Sequence, residues 1–396
     1  MAKLLVINSE EGTKVPFLRG ILTSSLQDIG LDFDEAYDLA SDVRDSLSGE
    51  ARILTGELRK RVSERLRELH GGFLASRYDS LVASIDQVMI CGSQGQCTPF
   101  SSDIHGKSMQ ACGVTEDHAR TLSRMLHRHL VARKRKEISS AYLGRLTYRI
   151  LSREVDKKAA QRYLACRELD QKGTPLLILI GGSPGCGKST IATALASRLD
   201  IFRTQSTDML REVMRVLIPE ALLPVLHRSS FDAWRVLPDS AGSENDREDL
   251  IARGFRSQAD LLNVACEAVV QRAVRERVSL VLEGVHMDAT VMKRLHGDDV
   301  IVVPVMLAVI KQDLLHKRIR GRGGLVPHRR AERYLNNFDA IWQLQSYLLS
   351  EADKEQISIV VNEDKDSTVN EILRIIADTL SAQLKPTLKR VFPAGN

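Results

Sequence analysis

Leu176–Thr190 reads LLILIGGSPGCGKST, and the architecture of the larger part of the chain follows from it. The five apolar residues Leu176–Ile180 predict a strand buried on both faces. Gly182-Ser-Pro-Gly-Cys-Gly187-Lys188-Ser189 has the spacing G-x-x-x-x-G-K-[ST], and a helix is expected next over Ile191–Leu199. Glycines at these positions let successive backbone N–H groups turn inward around a phosphate, at the positive end of the helix. Lys188 would reach the β/γ-phosphates, and the Ser189 hydroxyl is a hard ligand suited to Mg²⁺. The loop residues Gly182, Ser183, Pro184, Gly185, Cys186, Gly187, Lys188, Ser189 and Thr190 are therefore the expected ATP contacts.

Downstream, strand and helix patterns alternate, which predicts an α/β domain with a doubly wound parallel sheet over residues 174–384. Ile201–Gln205 is a candidate strand leading to Ser206-Thr207-Asp208. At that strand end Asp208 would face the γ-phosphate and take or orient a substrate hydroxyl proton, although Thr207-Asp208 also reads as the N-cap of helix Met209–Leu217. Arg211 and Arg215, four apart on that helix, suit an anionic substrate. Leu226–Arg235 adds Ser230 and Arg235 as candidate acceptor contacts, and Asp239–Asp249 reads as a polar connection before helix Ser257–Val274. Strand Val278–Leu282 ends in Glu283, placed to hold Mg²⁺. His286 is either a substrate contact or an ordinary helix-start residue. Another buried strand, Val300–Val309, precedes the basic segment Gln312–Arg322, which reads as a lid whose Arg318 and Arg322 close over the transferring phosphoryl. Helix Arg329–Glu351, strand Ile357–Val361 with Asn362 near the base, and helix Thr368–Gln383 complete the reading, leaving residues 385–396 as a tail.

The first part of the chain repeats itself. Val15-Pro16-Phe17 aligns with Thr98-Pro99-Phe100 at a shift of 83, as do Gly30 with Gly113, Leu39 with Leu122 and Leu47 with Leu130. At a shift of 85, Ala75-Ser-Arg77-Tyr78 meets Ala160-Gln-Arg162-Tyr163. Each copy begins with a short strand and continues as helices, giving expected domains at 1–83 and 84–168, with a polar boundary at Glu168–Pro175.

Composition adds limits. The net charge is +5, concentrated at His127–Lys136 with seven basic residues in ten, but no nucleic-acid reader motif accompanies it, so nucleic acid is not expected. No apolar run reaches the ~18 residues of a membrane helix, and no signal-like leader opens the chain, so a cytoplasmic protein is expected. The six cysteines lack C-x-x-C spacing and read as reduced thiols.

Two resemblances follow. The duplicated segment resembles the ATP-cone, a mainly helical nucleotide-sensing domain, with Lys14 and Arg19 of the first copy where cones place cations and Cys97 and Ser102-Asp103 in the second. The remainder resembles the 2-phosphoglycerate kinase family in GGSPGCGKST, STDMLREVMR (Ser206–Arg215), SSFDAWR (Ser229–Arg235), LEGVHM (Leu282–Met287), HKRIRGR (His316–Arg322) and YLNNFDAIWQLQSYL (Tyr334–Leu348). This resemblance implies a P-loop kinase using ATP and Mg²⁺ to phosphorylate 2-phosphoglycerate to 2,3-bisphosphoglycerate, with nucleotide at the cones; a homo-oligomer is compatible with it. Two other readings fit the same residues: a kinase for another polyol or inositol phosphate, and a nucleotide-sensing regulator without catalysis.

Overall fold

The computed structural model describes residues 4–7, 14–83, 88–92, 95–133, 136–238, 247–295, 297, 299–321 and 329–393. The chain forms two compact units, one of residues 1–100 and 127–138, the other of 101–126 and 139–396.

The repeat is a repeat of topology. In the first copy, strand Leu5–Ile7 pairs antiparallel with Lys14–Pro16 and parallel with Arg52–Leu54. Helices Arg19–Asp28, Phe33–Ser46, Thr55–His70 and Gly72–Ala83 follow the same chain order around it. Asp32 caps the second helix by accepting from the Glu35 N–H at 2.8 Å. Leu26, Ile29, Leu39, Val43, Leu66 and Tyr78 join in a core of the copy's own. The second copy has the same order: strands Met89–Cys91 and Cys97–Pro99, helices Ser102–Gln110 and Glu116–Ala132, strand Glu137–Ser139, helices Ser140–Glu154 and Lys157–Lys172. The third strands, three residues each, are too short to carry a periodicity and were not expected from sequence.

Several expectations need correcting. Cys91 and Cys97 are not free thiols; they face each other across the second hairpin as a disulfide with Cα atoms 4.1 Å apart, at the place where the first hairpin pairs Ile7 with Lys14. The packing also ignores the boundary expected at Glu168–Pro175. Helix Lys157–Lys172 runs through Glu168, and its Tyr163 and Leu164 share one core with Leu373 and Ile376 of helix Lys365–Leu384. Nor are residues 385–393 a loose tail. Val391 and Phe392 are buried, the Phe392 ring stacks on Tyr163 at 6.0 Å, and Gly144 leaves the room its side-chain carbon would take from that ring. Arg390 donates to the buried Glu168 carboxylate at 2.6 Å, and Arg145 to the Phe392 carbonyl at 3.2 Å.

The larger unit is built on five parallel strands in the order Ser358–Val361, Ile301–Ala308, Leu176–Gly182, Leu280–Glu283, Arg203–Ser206. The central strand is buried at all seven residues, as a parallel sheet covered on both faces requires. Helices Lys188–Arg198 and Lys365–Leu384 pack together, as do Arg247–Arg275 and Phe338–Lys354. The single helix expected over Arg329–Glu351 is two, Arg329–Leu335 and Phe338–Lys354. Part of the expected connection, residues 239–246, lies outside the described residues.

Candidate active site

The register of the parallel sheet brings three carriers of chemistry to one edge. Glu283 is level with Ile180 on one side and Ser206 on the other, so the acid at the end of its strand lies beside the phosphate loop and the segment leading to Asp208. Gly185 and Gly187 have φ of 90° and 93°, values that an L side chain strains to adopt, and Lys188 opens the following helix. Two buried amides brace the loop. Gln345 accepts from the Ser183 hydroxyl at 3.1 Å while holding the Val309 N–H and carbonyl, and Asn362 donates to the Cys186 carbonyl at 2.8 Å. Asn362 thus supports the loop's backbone from a side chain only 4% exposed.

Lys188 lies 7% exposed with its ammonium donating to the Ser183 carbonyl at 3.0 Å. The Ser189 hydroxyl donates to Glu283 Oε1 at 2.8 Å. These two hard oxygens meet where a divalent cation bound to a nucleotide would be held, so the donor set fits Mg²⁺.

Two cavities meet at Ser189. One, about 340 Å³, is lined by Gly185, Gly187, Thr190, Arg318, Asn362 and Lys365 as well as Ser189. The other is small, about 50 Å³, and is enclosed by Lys188, Ser189, Asp208, Arg211, Ser230 and Glu283, with Pro184, Ser229, Phe231, Val285 and Tyr334 completing the wall. Ser206, rather than Asp208, caps the helix, accepting from the Asp208 N–H at 3.2 Å. Arg211 donates to the Arg228 carbonyl at 2.9 Å, and its buried Nε has no acceptor among the described residues. A guanidinium in the wall of a small polar cavity is suited to an anionic oxygen.

Sequence comparison meets this geometry. The Zeta toxin family matches residues 160–223, which span the phosphate loop and Asp208. A 2-phosphoglycerate kinase of Pyrococcus horikoshii is 33% identical over 281 residues, 70% of this chain and 89% of that protein. One from Methanocaldococcus jannaschii is 33% identical over 287 residues, 72% of this chain and 90% of that protein. This chain belongs to the 2-phosphoglycerate kinase family. It is a phosphotransferase. A solved gluconokinase from Sinorhizobium meliloti overlaps 54% of this chain and 95% of its own at 18% identity, with a TM-score of 0.30.

Not every residue expected at the site of this kinase reaches it. Arg318 does, lining the larger cavity with Nη2 on the Glu363 carbonyl at 3.1 Å and a buried Nη1 without an acceptor among the described residues. Its expected companion Arg322 lies outside the described residues. Arg215, one helical turn beyond Arg211, pairs with Glu212 at 2.7 Å and is absent from the cavity wall. Arg235 is held by Asp232 at 2.8 Å and by Asn337 at 3.2 Å, over the Trp234 ring, also away from the wall.

His286 has no exposure and does not line the smaller cavity. Gln258 donates through its amide to the Val225 and Arg228 carbonyls at 2.7 and 3.0 Å, so its oxygen must accept from His286 Nε2, 2.9 Å away. Nδ1 then accepts from Thr207 Oγ1 at 3.1 Å, and burial pushes the imidazole down to about 3, keeping it neutral. Gly284 permits this arrangement, since a side-chain carbon there would overlap Thr207. The Arg228 carbonyl accepts from both Gln258 and Arg211, which links the buried histidine to the guanidinium that lines the cavity.

Tyr334, packed against Phe231 at 5.3 Å, and Ser229 were not singled out from sequence, although both lie in stretches that carry the family resemblance. Gln345 also lies in such a stretch, whereas Lys365 and Gln258 gave no local signal, because each reaches the site from a distant element.

Proposed function

We propose that this kinase transfers the γ-phosphoryl group of ATP to the free hydroxyl of 2-phosphoglycerate, giving 2,3-bisphosphoglycerate and ADP. The observation that carries this reading is the pair of cavities joined at Ser189, one along the phosphate loop and one closed by Lys188, Asp208 and Arg211. ATP phosphates would lie along Gly185–Thr190, with Asn362 holding the loop and Arg318 facing them. Arg211 and Ser230 would bind the acceptor's phosphate and carboxylate, and Asp208 would receive its hydroxyl proton as the new O–P bond forms. Lys188 would spread the charge passing from the γ- to the β-phosphate oxygens as the old O–P bond breaks. Ser189 and Glu283 would hold Mg²⁺, which supplies charge neutralisation on the nucleotide phosphates.

The two N-terminal copies are proposed to sense nucleotide. Lys14 and Arg19 of the first support this, with the Arg19 guanidinium 5.1 Å above the Tyr37 ring, whereas the second has a disulfide cysteine and Ser102 at those positions.

The test is ADP formation with Mg-ATP and 2-phosphoglycerate, 3-phosphoglycerate, glycerate and inositol phosphates as acceptors. Selective turnover of 2-phosphoglycerate is expected. Lys188→Ala should abolish it, and Arg211→Gln should raise KM for the acceptor roughly tenfold or more, with KM for ATP unchanged. Equal turnover of glycerate would refute the phosphate-recognising role of Arg211.

A further inference from the structure

A cavity lined by the second copy and the catalytic half is remote from the phosphate loop. It measures about 650 Å³, against about 340 Å³ beside the loop. Helices Ser102–Gln110 and Lys157–Lys172 of the second copy supply part of its wall. The rest comes from the last turn of helix Lys188–Arg198, the residues leading into strands, and helix Lys365–Leu384. Leu176 in this wall begins the strand that ends at Gly182, a span of about 20 Å at ~3.3 Å per residue, so the cavity lies at the opposite end of the sheet from the chemistry.

Its lining has two parts. Leu176, Leu199, Ile201, Ile376 and Leu380 make an aliphatic wall, and Lys107, Arg167, Arg198 and Arg277 set four cations against Asp170 and Asp200. Arg198 is already engaged by Asn370 at 2.7 Å and Asp366 at 3.1 Å. Arg167 pairs through Nη2 with Asp170 at 3.0 Å, but its buried Nε has no acceptor among the described residues. Lys107 and Arg277 form no ion pair with any described residue. An open cleft of this size lies within the usual range for small-molecule sites. An apolar wall facing an excess of unpaired donors suits a molecule with a flat apolar body and a polyanionic end.

We propose that this cavity is a second small-molecule site that binds a nucleoside phosphate, with the base on the aliphatic wall and the phosphates on Lys107, Arg167 and Arg277. The proposal is independent of which acceptor the kinase phosphorylates.

The experiment counts ADP equivalents bound at equilibrium by the full chain, by K107Q/R277Q, by Ile104→Glu and by Lys188→Ala. Lys107 and Arg277 are exposed, and Ile104, at 72% exposure, stands in the cavity wall, so the folded state should tolerate all three changes. K107Q/R277Q and Ile104→Glu should each lose one equivalent, or bind it roughly tenfold or more weakly, relative to the unaltered chain. Lys188→Ala should lose a different equivalent and keep this one. The same number and affinity of ADP sites in K107Q/R277Q as in the unaltered chain, with thermal midpoints equal, would overturn the proposal. Failure of the phosphate-loop reading would show separately, as ADP binding indifferent to Lys188→Ala.

Discussion

The two N-terminal copies share a topology and have opposite fates. The first closes on itself, with Leu26, Leu39, Val43 and Leu66 in its own cluster. The helices of the second put Met109, Leu122, Leu151 and Tyr163 into the same core as the catalytic sheet. Among its described side chains the last helix of the first copy buries Ala75 and Tyr78, whereas its counterpart, Lys157–Lys172, buries Ala159, Ala160, Tyr163, Leu164, Ala165, Cys166 and Glu168. A duplicated sequence preserves the local pattern that makes each helix and strand. Which surface each helix then covers is settled by small differences in side chains and by what lies within reach.

Truncation should break the comparison most sharply. Removing residues 1–83 should leave a soluble, active kinase, because that copy keeps its core to itself. Removing 1–173 should abolish folding, since it strips the cover from Leu373 and Ile376, and each exposed side chain of this kind costs about 1.5–3 kcal/mol out of a typical total of ~5–15 kcal/mol. Soluble yield and ADP formation measure both; an active protein starting at Thr174 would dismiss the shared core as incidental.

A point substitution gives a smaller effect. Phe392→Ala empties the site against Tyr163 and Gly144 and should cost about 3–5 kcal/mol in urea unfolding. Phe73→Ala in the first copy, where the ring is 75% exposed, should change stability by less than ~0.5 kcal/mol. Similar midpoints for the two variants would mean that the C-terminal residues contribute little.

The smallest expected effect is a pH dependence. At a shift of 83, Leu22 of the first copy becomes His105 in the second, buried and within 3.1 Å of Thr147 Oγ1. Burial, with the Arg167 charge adding to it, pushes this imidazole down to about 4. Below the ordinary histidine value the unfolded chain takes up a proton that the folded chain refuses, so stability falls as pH drops from about 6.5 toward 4. The slope from one such group is at most ~1.4 kcal/mol per pH unit. His105→Leu should flatten it in part, leaving the contribution of His286, which is held down to about 3. An unchanged slope in His105→Leu would remove His105 as its source.

The phosphate loop, the parallel sheet and the duplication were all legible in the chain because each rests on local rules. Glycine spacing, apolar runs and a repeated pattern act over a few residues or at a constant offset. The strand ends that carry Asp208 and Glu283 were legible for the same reason, since a parallel sheet delivers all its carboxyl ends to one edge. The roles of single arginines were not. Arg211 and Arg215 look equivalent at a spacing of four, but one turn of helix takes Arg215 out of the cavity and onto Glu212. Proximity of groups far apart in the chain was invisible: His286 with Gln258 and Thr207, Gln345 under Ser183, Phe392 over Tyr163, and the cavity walled by Lys107 and Arg277. Local elements need only their own residues to form. Burial, pairing and cavities depend on which elements meet, and only the tertiary structure decides that.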